Sequence, residues 1–205
     1  MGIFRLFLSL VVVRNHMASF SLMDGMMNSI MSVQSFFIVS GFYTSMILKT
    51  KYSSMRSFWI NRILRLYPIY LLIICLILLI DPNNFGKIFL DSSYSVLTRL
   101  YVFIYNIFMI GSDWSLWLEI TPEKTLDFVM NFRDSFHSIH LKHSLLSVAW
   151  TISLEIYFYI IAPFLIKYPK KILVLLMILS LSLRFLFLYP LGFSYDPYAY
   201  RFFPT

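Results

Sequence analysis

Residues 3–22 read IFRLFLSLVVVRNHMASFSL. The run is apolar and long enough to cross a bilayer, whose hydrocarbon core takes ~20 helical residues, yet it carries Arg5 and His16. Eleven residues separate the two, close to three helical turns, which puts both side chains on one face roughly 16 Å apart along the axis. Ionisable groups inside a span are costly and face a bundle interior, a water-filled cavity or each other. A neutral imidazole held at depth is also a ready general base. The stretch predicts a first membrane helix and points to a membrane-embedded enzyme.

The same stretch imitates a signal peptide, with Arg5 ahead of an apolar run. Arg14-Asn15-His16 interrupts that run and no small-x-small cleavage site follows, so an uncleaved first span is expected. Five further apolar segments follow, at 29–48, 63–80, 96–118, 145–166 and 172–189. The predicted fold is all-α, a polytopic transmembrane helix bundle of six apolar segments forming a single domain over 1–205. Composition agrees: of 205 residues 59% are hydrophobic and only 13% charged, with a mean hydropathy of +0.74, too little polar surface for a soluble domain of this size. The net charge of +7 does not indicate nucleic-acid binding, because most basic residues sit in short connectors, where they set membrane orientation. Cys75 is the single cysteine, which excludes an intramolecular disulfide.

Lys49, Lys51, Arg56, Arg62 and Arg65 crowd the second connector, whereas the first has Asp24 and no Lys or Arg. The second connector and the N-terminus are therefore expected on the cytoplasmic side of the membrane. Lys167, Lys170 and Lys171 form a second basic cluster, also expected inside. Counting six simple crossings puts that cluster outside. One segment between 81 and 146 must then be re-entrant or broken, and the fourth is the candidate because Gly111, Ser112 and Asp113 interrupt it.

Three motifs carry the possible chemistry. In the second segment SFFIVSGF (35–42) places Ser40 beside Gly41; small residues there serve close helix packing, the alternative to a catalytic Ser40. RILRLYP (62–68) sets Arg62 and Arg65 three apart, on similar sides of a helix, where they either grip phosphates or act as orientation signals and headgroup anchors. WTISLEIYFY (150–159) buries Glu155 among apolar neighbours, with Tyr159 four residues on. Glu155 serves either catalysis or a structural ion pair between helices. His137, His140 and His143 lack the Cys or acidic companions of a ligand pattern, so a polar loop over 121–144 at the membrane surface is expected and no metal site.

The ordered set of these motifs resembles acyltransferase family 3, which includes the O-acetylases of bacterial O-antigen and of nodulation factors. Arg-x10-His, SFFIVSGF, RILRLYP and WTISLE occur in that family's order along essentially the whole chain. The resemblance implies transfer of an acyl group, commonly acetyl, from acetyl-CoA to a carbohydrate hydroxyl. It assigns His16 as the essential histidine with Arg5 its partner. It places Arg62 and Arg65 on the acyl-CoA side, and it matches Ser153 and Glu155 to a Ser-x-Glu element. The implied partners are an acyl-CoA donor, a carbohydrate or glycolipid acceptor and the bilayer, with no permanently bound cofactor.

The sequence departs from the family in two ways. Arg14 adds a charge on a different face from His16, which snorkels to headgroups. Family members have about ten spans of ~20 residues against six here. A C-terminally truncated enzyme, an inactive remnant, or a subunit completed by a downstream polypeptide is therefore expected. A small-solute transporter also buries Arg, His and Glu, but broken helices in corresponding halves are not evident.

Overall fold

The structure is a computed structural model and describes residues 2–16, 29–129, 137–146 and 149–189. It is mostly helical: α1 Gly2–His16, α2 Ser29–Thr50, α3 Met55–Ile80, α4 Pro82–Leu90, α5 Val96–Phe108, α6 Ile139–Lys142, α7 Trp150–Leu165 and α8 Lys170–Leu188. Two short strands, β1 Leu118–Ile120 and β2 Leu126–Phe128, pair antiparallel with Glu119 opposite Asp127. This short hairpin is an addition to a chain that is otherwise mostly helical, as expected. A turn at 121–125 closes it, with Thr121 N donating to Thr125 O and Lys124 N to Thr121 O.

Among the described residues two helices are long and apolar enough to cross a bilayer, Met31–Thr50 and Met55–Ile80. Shorter apolar helices cover Ile3–Val12, Val96–Phe108 and Trp150–Leu165, and α8 runs unbroken over Lys170–Leu188. The third begins eight residues earlier than its apolar run, so Arg56, Arg62 and Arg65 lie within the helix and only a short turn links it to α2. Pro68 sits inside α3; it deletes one backbone bond, which apolar helices tolerate where neighbouring groups compensate. The irregularity expected in the fourth segment is present. Helix α5 stops at Phe108, Met109 turns left-handed at φ 59° and Gly111 follows at φ 81°.

By contacts the chain forms two compact units: the residues up to Phe58 with those from Phe158, and Trp59–Tyr157 between them. In the first, α1 packs along α2. Val33, Ser40, Thr44 and Ile47 are buried on α2, and their spacing makes one face, narrow enough for close approach because two of the four are small hydroxyl residues. Leu8 and Val11 are buried on α1, and the Arg5 guanidinium lies 4.6 Å from the centre of the Phe36 ring. Along α8 nearly every apolar side chain from Ile172 to Leu181 is exposed, a surface that needs an apolar solvent or partner.

In the second unit α5 is held at both ends. Ser95 caps its start, its Oγ accepting from Thr98 N at 3.1 Å. The last carbonyls of a helix have no partner within it; here Tyr70 and Tyr67 of α3 donate to the carbonyls of Asn106 and Phe108. One core joins Ile88, Val102, Tyr105, Ile120 and Ile139 from α4, α5, β1 and α6. A second joins Tyr70, Ile74, Met109 and Ala149.

Candidate active site

The head of α7 presents Ser153, fully buried, and Glu155, 6% exposed. Ser153 Oγ donates to Asp113 Oδ1 at 2.9 Å. The Tyr157 hydroxyl, one turn further along α7, donates to the same oxygen at 3.2 Å and accepts from Gly111 N at 2.8 Å. Tyr101 OH donates to Gly111 O at 2.9 Å. The break after α5 is thus tied to α7 by the Asp113 carboxylate and the Tyr157 hydroxyl, and back to α5 by Tyr101. Gly111 suits this place: its φ of 81° is one that side-chain-bearing residues rarely adopt.

Beside it, Ser115 Oγ donates to Ser112 O at 2.6 Å and lies 3.2 Å from Nδ1 of the buried His140. Asn106 fastens the same region, donating to Val102 O and His143 O at 2.9 Å and accepting from Leu145 N at 2.8 Å. His137 gives its carbonyl to Ile120 N. The three histidines of the loop thus each tie a different strand, turn or helix. Among the described residues no group of three or more His, Cys, Asp or Glu side chains could hold a metal. Burial pushes the His143 imidazole below its ordinary value, with the Lys142 charge adding to the effect.

Of the six residues singled out in the sequence, Ser153 and Glu155 lie together on α7 in buried surroundings. Arg62 and Arg65 occupy α3, but burial separates them: Arg62 is 5% exposed, Arg65 faces outward. Three residues of helix turn through roughly 300°, enough offset for one to enter the packed side while the other leaves it. Arg5 meets Phe36. His16 is the last residue of α1; its side chain, and with it the expected pairing with Glu155, lies outside the described residues, as does the Arg14 side chain. Asp113 was legible only as an interruption of an apolar run. The signal that could have found it is that an acidic residue in such a run is costly unless it serves a buried partner.

These features define a class: a helical membrane protein with a partly buried hydroxyl–carboxylate cluster where an interrupted helix meets another. The chain belongs to acyltransferase family 3, whose family model, described as an acyltransferase domain, matches residues 3–204. It is therefore a membrane acyltransferase in general terms. No curated protein and no solved structure matches it.

Proposed function

We propose that the protein is a membrane O-acyltransferase that moves an acetyl group from acetyl-CoA to a hydroxyl of a cell-surface carbohydrate or glycolipid. The observation that carries this reading is the family match over 3–204, which takes in Arg5, His16, Arg62, Arg65, Ser153 and Glu155. In this scheme His16 removes the proton of the acceptor hydroxyl as its oxygen attacks the thioester carbonyl. The C–S bond breaks and CoA leaves as the thiol. General-base help of this kind is worth ~10²–10⁴-fold. Arg5 partners His16, Glu155 and Ser153 orient the imidazole or the acceptor, and Arg62 with Arg65 holds the CoA phosphates.

The setting is a multi-pass protein of the bacterial inner membrane with its N-terminus in the cytoplasm. Support comes from Lys49 and Lys170, which line one cavity: the two basic clusters share one end of their unit, as a common cytoplasmic side requires. The test is the O-acetyl content of the host's surface polysaccharide with the chain expressed, against His16→Ala at matched protein level. Acetylation with the first and none with the second is expected. Acetylation at the same rate from both would overturn the scheme.

A further inference from the structure

The first unit holds a cavity of about 590 Å³ lined by α2, α7 and α8. At one end stand Lys49, in the last turn of α2, and Lys170, the first residue of α8. At the other stand Gly41, Phe158 and Met177. From Lys49 to Gly41 α2 advances ~12 Å, and α8 advances ~10 Å from Lys170 to Met177. Half the hydrocarbon core of a bilayer is ~15 Å. The cavity thus has a cationic mouth and an apolar body nearly one leaflet deep. Gly41 and Phe158 lie side by side there, a Cβ on Gly41 standing at ordinary contact distance, 3.8 Å, from Phe158 Cζ. Tyr168, exposed beside the mouth, is a residue type that settles at headgroup level.

We infer that this cavity binds one anionic phospholipid of the surrounding bilayer, an acyl chain running toward Gly41 and the phosphate meeting Lys49 and Lys170. Charge complementarity selects the occupant: a zwitterionic lipid brings its own cation to a mouth that already has two, whereas an anionic headgroup does not. Basic pockets between membrane helices hold anionic headgroups on the same grounds. The apolar body argues for a lipid over the acetyl donor, because an acetyl group has no chain to fill it. The inference rests on the membrane setting alone and stands whichever acceptor the enzyme uses.

The test uses the full chain reconstituted in vesicles of equal parts phosphatidylcholine and phosphatidylglycerol, then released in mild detergent for native mass spectrometry. One retained phosphatidylglycerol is expected. Lys49→Glu with Lys170→Glu should lower its retention at least about tenfold, while Lys49→Arg with Lys170→Arg keeps it. Ser45→Trp, which fills the apolar body while leaving the lysines in place, should also lower retention and decides the matter if the charge-reversed protein does not fold. Equal retention of both lipids, indifference to charge reversal or to Ser45→Trp, or displacement by equimolar acetyl-CoA or a polyprenyl phosphate would overturn the assignment.

Discussion

Ser153 and Asp113, forty residues apart in sequence, are joined by a 2.9 Å hydrogen bond from the serine hydroxyl to the carboxylate. The same carboxylate oxygen accepts from Tyr157, so one acidic side chain holds two hydroxyls of α7. Replacing Asp113 with Ala removes the acceptor of both and should cost ~1–3 kcal/mol, the penalty for stranding buried polar groups. Asp113→Asn keeps an oxygen at the position and should cost less. Thermal unfolding in detergent distinguishes them; equal melting temperatures for wild type and Asp113→Ala would show the bonds to be dispensable.

Tyr157 also receives the Gly111 amide. Tyr157→Phe preserves the ring and deletes this acceptor, leaving the amide of a half-buried turn unmatched, for an expected loss of ~1–3 kcal/mol. Hydrogen exchange at Gly111 should rise in the variant more than exchange in α2, which this bond does not touch.

The two left-handed residues after α5 should lose stability on substitution for different reasons. Gly111→Ala places its Cβ at ordinary contact distance, 3.6 Å, from the Tyr101 ring, so the penalty is conformational, ~1–2 kcal/mol. Met109→Gly relieves a similar strain at φ 59°. It also empties a fully buried core position, a loss of ~2–5 kcal/mol by analogy with Met→Ala. Burial outweighs strain, and both variants should melt below the wild type.

Lys124 donates to Asp91, and this bond, followed by those from Ser93, holds the Asp91 carboxyl well below its ordinary range. A folded value below the unfolded one stabilises the protein above the unfolded pKa, and the contribution is lost as pH falls from about 4 toward the folded value. The melting-temperature gap between wild type and Asp91→Asn should therefore be open near neutral pH and close in acid. Asp91 and Lys124 are both solvent-accessible, so molar salt should narrow the gap as well.

The unequal burial of Arg62 and Arg65 separates their expected phenotypes. Arg65→Ala should change stability by no more than ~0.5 kcal/mol, as exposed substitutions do, and under the proposed function raise KM for acetyl-CoA. Arg62→Ala should lower the melting temperature as well, because a buried guanidinium leaves both its packing and its partners behind. Matched melting and kinetic data on the two variants check this; a destabilised Arg65→Ala with an intact Arg62→Ala would reverse the assignment.

What the sequence determined is what depends on local composition. Apolar runs of spanning length, basic connectors, and the order of Arg5–His16, Arg62–Arg65 and Ser153–Glu155 are one-dimensional signals, and they were enough for membrane class and family. The Gly111-Ser112-Asp113 interruption likewise announced the end of α5, because a glycine and two polar residues cannot continue an apolar span unaided. Which side chains meet was decided only by the tertiary structure. Asp113 reaches Ser153 across forty residues, Asn106 reaches His143 and Leu145, and Arg62 is buried while Arg65 is not. The hairpin at 118–128 escaped the apolar pattern because its three-residue strands are too short for alternation to show. Its register instead follows from pairing and from the Thr121–Thr125 turn. Hydrophobicity sorts segments between lipid and water, but the pairing of polar groups inside the fold is a matter of distance, and distance exists only once the helices are packed.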